Sequence, residues 1–321
     1  MRIASIAART IRWSIASRGA ARGRTERAAV VLEVRTEAGV VGLGEAAPLP
    51  GLSPDTLDDA ARAIAAFAAR APFAIADREA VSTIAATTAA PAARFAIEAA
   101  LLDALARQRQ ISLAQLLRDG AAAVTPGPVP LAAVVDDPEA ARDAFAAGIR
   151  CFKIKLGADD DPGRVAVIAA AVPGARLRID ANRSWPRAEA LARLVALADL
   201  PIDYVEEPCA EAHRLAGEPL ACRIALDESL AVITPDELAA ALRGPALAAL
   251  VLKPTLLGGL SAAVRLAALA RRAGVAAIVS HGLEGPVGTA ASAELALALG
   301  GDHPVGLAAH AALDGFRLAV P

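Results

Sequence analysis

Histidine and cysteine, the residues that most often build zinc and redox centres, are scarce in this chain: four and three among 321 residues. Cys151, Cys209 and Cys222 form no CxxC pair and no two histidines stand at ligand spacing, which argues against zinc. An odd, sparse cysteine count fits a reducing cytosol rather than a disulfide framework. Charge of one sign is missing too. The formal net charge is −2, so no field draws the chain to nucleic acid. Aromatics make up only 3% against 55% hydrophobic residues, so the core must be built mostly of Ala, Leu and Val. Long apolar runs are absent as well. Charges at helical spacing break stretches such as Ala60–Ala71, which cannot span a bilayer. Arg2, Arg9 and Arg12 interrupt any signal-peptide core. The expectation is a cytoplasmic globular protein, long enough for one barrel and a smaller domain.

What is present is a series of short apolar runs, each ending in a polar residue. They read CFKIKLG (151–157), RLRIDAN (176–182), IDYVEEP (202–208), RIALDES (223–229), ALVLKP (249–254) and AAIVSHG (276–282). Ala/Leu/Arg-rich helical segments such as Arg187–Asp199 and Gly259–Ala273 lie between them. Alternating strand and helix predicts a parallel sheet, and strands buried on both faces read as continuous Val, Ile and Leu. In a βα barrel the carboxyl ends of the strands share one mouth. Lys153, Lys155, Asp180, Glu206, Asp227 and Lys253 are therefore expected to converge there.

Upstream, residues 2–16 and 28–36 predict an antiparallel hairpin, joined by a mobile loop over 17–27 that carries Arg18, Arg22, Arg24 and Arg27. Any of these arginines could meet a carboxylate, although a solvated basic loop explains each one better. A third strand follows at Val40–Gly44. A helix is expected from Pro54 to Arg70 with Ser53 as N-cap, then others at Asp77–Ala86 and, amphipathic, at Pro91–Gln108. Val129–Val135 reads as the first barrel strand, Gly285–Leu299 as the last helix and Pro304–Leu307 as the last strand. The expected architecture is an α/β barrel of the TIM type, 111–307, with an α+β capping domain, 1–110, that the tail 308–321 completes.

Three carboxylates on adjacent strands repel unless a cation lies among them, and oxygen-only ligands select a hard dication. Asp180, Glu206 and Asp227 therefore predict a Mg²⁺ site, with Mn²⁺ as the alternative; Asn182, Glu207 and Glu228 adjoin it. Lys153 and Lys155 share one face of their strand by the period of two. Each is expected to depress the other's pKa, making a neutral amine accessible near neutral pH. Lys253 stands roughly across the barrel. Lysines on opposite sides of a metal suit proton abstraction next to a carboxylate, a pattern the enolase superfamily already exemplifies. Lys153 reads equally well as a salt-bridge partner of the acids and as part of the proton machinery.

With KIK (153–155), DAN (180–182), EEP (206–208), DES (227–229) and KP (253–254), the chain resembles the enolase superfamily in its muconate-lactonising branch. DANRSW (180–185), VEEPC (205–209), LDESL (226–230), LKPTLLGGL (252–260) and GEAAPLPGLSPDTL (44–57) are most similar to the o-succinylbenzoate synthases of menaquinone biosynthesis. That resemblance implies Asp180, Glu206 and Asp227 as Mg²⁺ ligands and Lys155 as the base. It implies Lys253 as the cation over the opposite face. Lys153 and Arg178 would support the first lysine and the bound carboxylate, Asn182 would lie beside the substrate, and the loop Ser17–Arg27 would close over it. Backbone amides at Ser280, His281 and Gly282 would hold a distal carboxylate. Here the chain reads SHGLEGP where the family often has serines, and His281 adds a possible positive partner. No Asp stands near the end of the Lys253 strand to pair with a His, which disfavours the mandelate-racemase branch. Asp302 to Gly306 holds one Asp and no DxD, which disfavours dipeptide epimerases. Dehydration of the succinyl-hydroxycyclohexadiene carboxylate is the first expectation and N-succinylamino acid racemisation the second. A retired barrel that only binds or scaffolds is the third, which the intact lysine–carboxylate set argues against.

Overall fold

The computed structural model of the chain describes residues 1–17, 21, 23–118, 127–314 and 316. The N-terminal strands β1 (Arg2–Ser14), β2 (Glu26–Thr36), β3 (Val41–Ala46) and β4 (Phe73–Ala74) form an antiparallel sheet in the order β3-β2-β1-β4. The two-residue β4 carries too little periodicity to be read from sequence. On β3, Gly42 and Gly44 face one way, and a Cβ on either would collide with the backbone of Ala100 or Ala96. Their bareness lets the helix Pro91–Gln108 lie directly on the sheet. That helix is not amphipathic as expected. It is buried on nearly all sides, because the cap sheet covers one flank and the barrel segment Pro254–Leu257 approaches the other. Its Glu98 enters the interior and accepts from Ser261 N at 3.2 Å.

The helix expected from Pro54 starts later, at Leu57, where Thr56 and Asp59 form a reciprocal capping box. Ser53 Oγ instead accepts from Leu49 N at 2.8 Å within the preceding turn, and Asp55 accepts from Ala92 N at 2.9 Å, capping a different helix. The Ser-Pro-Asp signal was therefore a turn followed by a cap supplied to another element.

The second sheet is parallel and curls into a barrel. Its strands β5 (Ala132–Val134), β6 (Cys151–Lys155), β7 (Arg176–Asp180), β8 (Ile202–Glu206), β9 (Ile224–Leu226), β10 (Leu247–Leu252) and β11 (Ala276–Val279) stand in sequence order. The ring closes through a short last segment. Val305 bridges Leu131 and Gly306 bridges Ser280, both in parallel, with Ala132 N donating to Val305 O at 2.9 Å and Gly306 N to Val279 O at 2.8 Å. An eight-fold closure with one very short strand is the barrel that the alternating pattern predicts. The chain's end returns to the cap: Trp13 Nε1 donates to Ala312 O at 2.9 Å and its ring packs edge-on against Phe316. No helix among the described residues is long and apolar enough to cross a membrane.

Candidate active site

β7, β8 and β9 are neighbours, so Asp180, Glu206 and Asp227 stand side by side at the carboxyl end of the barrel, all three buried. Lys155 ends β6 and Lys253 follows β10, four strands apart in an eight-position ring and hence on opposite sides of it. The spacing of apolar runs alone had placed these six side chains together, and the fold does bring them to one mouth.

The Lys153 ammonium bridges Glu206 Oε1 at 2.6 Å and Asp180 Oδ2 at 2.9 Å, while Lys253 pairs with Asp227 Oδ2. Among the described residues no three acids, histidines or cysteines are spaced as a ready coordination sphere. The donor set nevertheless suits a hard dication: three buried carboxylates lie in apposition and a positive charge already bridges two of them. Burial pushes the Glu206 carboxyl up, with Asp180 and Asp227 adding to the rise. For Asp180 burial is outweighed by Lys153, Lys155 and Lys253, which hold it down.

The expectation of a depressed pKa is reversed for Lys153, and Lys253 behaves in the same way. Burial pulls both down, yet the acids more than offset it and hold both ammonium groups above the ordinary lysine range. The salt-bridge reading of Lys153 therefore outweighs the lysine–lysine repulsion.

Lys155 has no carboxylate partner among the described residues; its Nζ donates to Asn182 Oδ1 at 3.0 Å. Asn182 Nδ2 in turn donates to Glu228 Oε1 at 3.0 Å, and Asn182 N donates to Asp180 Oδ1 at 3.1 Å. Asn182, Arg183 and Glu207 adopt φ of 45°, 61° and 44° just past two of the acids. Non-glycine residues hold that left-handed conformation only where the surroundings enforce it. Here Glu207 is fixed by Asp227 N at 2.7 Å, Ser229 N at 2.8 Å and Ser229 Oγ at 2.7 Å.

A cavity of about 120 Å³ opens above this cluster. Lys153, Lys155, Arg178 and Lys253 bring positive charge to its wall, and Leu49 and Leu52 of the cap roof it with apolar surface. Arg178 sits deeper than the acids, donating to Asp203 Oδ2 at 3.1 Å and Pro304 O at 2.6 Å, with its guanidinium over the Tyr204 ring. These contacts tie it to the barrel wall. Ser280, His281 and Gly282 line the cavity, but their amides do not offer the expected anion nest. Ser280 N donates to Leu252 O, His281 N to Gly306 O and Gly282 N to Glu284 Oε2, so all three donors are spent inside the protein. Pairing with β10 takes the first, barrel closure the second and a buried acid the third. His281 is not a positive partner either. Burial, the stacked His310 ring 3.9 Å away and the three lysines hold its pKa well below 6.5. Its Nδ1 accepts from Leu283 N at 3.1 Å, which places the proton of the neutral ring on Nε2.

Within the expected lid, residues 18–20 and 22, with Arg18 and Arg22, lie outside the described residues. Arg27 is buried and donates to the carbonyls of Leu283 (2.8 Å), Pro48 (2.9 Å) and Ala47 (2.7 Å), which removes it as a substrate contact. Sequence reasoning also passed over Glu45 and Glu284, which fix the loop after β11. The available signal was an acid set among glycines just before a proline-led helix, LEGP at 283–286.

A closed parallel barrel with acids on three consecutive strands, lysines on opposite sides and an antiparallel cap above them defines an enolase-type enzyme. Family comparison agrees: residues 136–314 match the enolase C-terminal domain-like family, and residues 5–118 match the mandelate racemase / muconate lactonizing enzyme N-terminal domain. The chain belongs to this mandelate racemase / muconate lactonizing enzyme family of the enolase superfamily.

Among curated relatives, the o-succinylbenzoate synthase of Mycobacterium tuberculosis is 38% identical over 50% of this chain and 50% of its own. That of Desulfotalea psychrophila is 32% identical over 64% of this chain and 58% of its own. Muconate cycloisomerase 1 of Rhodococcus opacus is 39% identical over 46% and 41%. The matches span about half the length of these relatives. A solved dipeptide epimerase from Methylococcus capsulatus, complexed with Mg and the dipeptide L-Arg-D-Lys, superposes with a TM-score of 0.82 at 28% identity. That alignment covers 96% of this chain and 91% of the epimerase. The L-Ala-D/L-Glu epimerase of Bacillus subtilis gives 0.84 at 26% identity, covering 96% and 90%.

Proposed function

We propose that the chain is a Mg²⁺-dependent hydro-lyase that syn-dehydrates 2-succinyl-6-hydroxy-2,4-cyclohexadiene-1-carboxylate to o-succinylbenzoate, a step of menaquinone biosynthesis. The observation that carries the reading is Lys155 and Lys253 facing each other across three buried carboxylates. Asp180, Glu206 and Asp227 would hold the metal, Mg²⁺ or Mn²⁺, whose charge offsets that of the substrate carboxylate and so acidifies the neighbouring C–H. Lys155 acts as the base and takes the proton α to the carboxylate, and the C–H electrons move into the carboxylate to give an enediolate. The electrons then return to expel the ring hydroxyl, which leaves as water with the proton Lys155 took. One base on one face therefore serves both halves of a syn elimination. Asn182 holds the Lys155 amine in place through its 3.0 Å contact. Lys253, kept charged by Asp227, stabilises the anion from the other face. The apolar roof of Leu49 and Leu52 suits a hydrocarbon ring and keeps water away. A cytoplasmic location goes with this reading, and the three free, buried cysteines fit it.

Racemisation of N-succinylamino acids is the second reading, because the same lysine pair could serve either face of a Cα and epimerases share the fold. Dipeptide epimerisation itself fits less well. Past Gly306, residues 307–310 (Leu-Ala-Ala-His) supply no carboxylate for a substrate ammonium, and Asp302 is exposed at the opposite end of that segment. N-succinyl substrates carry no ammonium and escape this objection. The full chain with Mg²⁺ and the cyclohexadiene precursor should consume the precursor's absorbance; no turnover with metal present sinks the first reading. Deuterium entering both enantiomers of an N-succinylamino acid faster than the dehydration runs would favour the second.

A further inference from the structure

The loop from Ser280 to Gly285 forms one wall of the cavity, yet its position is set from outside the barrel. Glu45 of β3 is 1% exposed and reaches across from the cap. Its Oε1 accepts from Gly285 N at 2.5 Å and its Oε2 from Val287 N at 3.1 Å and Gly288 N at 2.9 Å, the first amides of helix Pro286–Leu299. A carboxylate at a helix N-terminus meets both unsatisfied donors and the positive end of the helix. Arg27 of β2 holds the same loop at Leu283 O and ties it to the cap carbonyls of Ala47 and Pro48. Glu284, fully buried, closes the barrel side by accepting from Thr255 Oγ1 at 2.6 Å and Gly282 N at 2.7 Å. The fit leaves no slack: a Cβ on Gly285 would lie 2.9 Å from Glu45 Oε1, and one on Gly288 would lie 2.8 Å from Glu284 Cβ. Between the anchored points sits Leu283 at φ 61°, and its amide orients the His281 ring that faces the cavity.

We infer that Glu45 and Arg27 are positioning residues through which docking of the cap sets the His281–Leu283 wall of the substrate cavity, and hence the fit of the part of a carboxylate substrate furthest from the reacting carbon. Neither touches the reacting atoms. The lysines and acids sit on β6 to β10, so disturbing the clamp moves the wall and leaves the proton-transfer groups where they are.

For catalysis the clamp matters only if this cavity takes the proposed substrate, so the test has one readout that needs no substrate. Glu45→Gln, Arg27→Lys and Gly285→Ala are made in the full chain. Gly285→Ala disturbs the same contact from the barrel side without changing charge, and it serves if the buried-charge variants fold poorly. Amide exchange of the 280–290 segment should quicken about tenfold or more in each, while peptides from β6 to β8 keep wild-type protection. With Mg²⁺ present, KM for the precursor, or the dissociation constant of o-succinylbenzoate, should rise about tenfold with kcat within about threefold. Benzoate, which lacks the succinyl arm, should bind the variants as it binds the wild type. Unchanged exchange at 280–290 overturns the clamp whatever the substrate is. Faster exchange with an unchanged constant for o-succinylbenzoate, or an equal loss for benzoate, also overturns it, since the contacts would then be structural only. A wild type that binds o-succinylbenzoate without dehydrating the precursor overturns the proposed reaction and leaves the clamp to be judged by binding.

Discussion

Two clusters of buried charge in this molecule are built in opposite ways. At the junction of cap and barrel, Glu45, Glu284 and Arg27 have every polar atom paired, almost all with backbone amides and carbonyls. At the barrel mouth, Asp180, Glu206 and Asp227 are neutralised mainly by the side chains of Lys153 and Lys253. Backbone partners cannot leave, so the first cluster is fixed once the chain has folded. Side-chain ammonium groups can swing away, so the second can exchange one positive charge for another. Full backbone satisfaction marks a device that positions, and mobile countercharge marks one that reacts.

The sharpest break of that contrast is Lys155→Ala. It removes a group that makes no ion pair with the three buried acids, so the fold should keep its melting temperature while kcat falls by on the order of 10³-fold or more. Steady-state assays beside thermal unfolding check it, and a variant that keeps wild-type turnover overturns the assigned roles. Asp227→Asn should act next most strongly: Mg²⁺ affinity measured by calorimetry should drop about tenfold or more, and added metal should restore part of the rate. Removal of metal by a chelator should stop wild-type turnover reversibly and leave the junction untouched, which amide exchange at residues 285–288 reads directly.

At the junction the effect should move from rate to stability. Glu45→Ala strands three amides at a helix start, two of them buried, and the expected cost is about 2–4 kcal/mol by urea unfolding. A loss below about 0.5 kcal/mol would show that water replaces the carboxylate, and the contrast between the clusters would weaken.

How much of this could be read beforehand follows the same division. The barrel was legible because a polar residue ending one apolar run after another is a one-dimensional trace of a shared mouth, so Asp180, Glu206, Asp227, Lys155 and Lys253 could be placed from spacing. Glu45 and Arg27 could not. Their partners are carbonyls and amides 20 to 256 residues away in sequence where any residue type would serve, so no side-chain pairing appears in the string. The Ser280–Gly282 amides were misjudged for a related reason: a backbone donor looks available until β10, the closing segment at Val305–Gly306 and the Glu284 carboxylate are in place. Thr56 displaced Ser53 as helix cap because only Thr56 has an acid three residues on to complete the box.

The smallest predicted effect tests the border between the two regions, where His281 belongs to the cavity and its loop to the clamp. Burial depresses the imidazole first, and His310, Lys253, Lys153 and Lys155 facing it add to the effect, so the folded protein keeps the ring neutral below its ordinary value of 6.5. The unfolded chain takes up a proton there as pH falls through 6.5 and the folded chain does not. Stability from this residue is therefore complete above that pH and is lost progressively on acidification, down to the depressed folded value. His281→Asn keeps an acceptor for Leu283 N but cannot titrate. Its urea midpoint should fall less than that of the wild type between about pH 7.5 and 5.5. Equal falls would mean that the ring is protonated in the folded state. The cavity wall would then carry a positive charge, and a distal carboxylate would bind to the side chain of the loop rather than depend on where the clamp holds it.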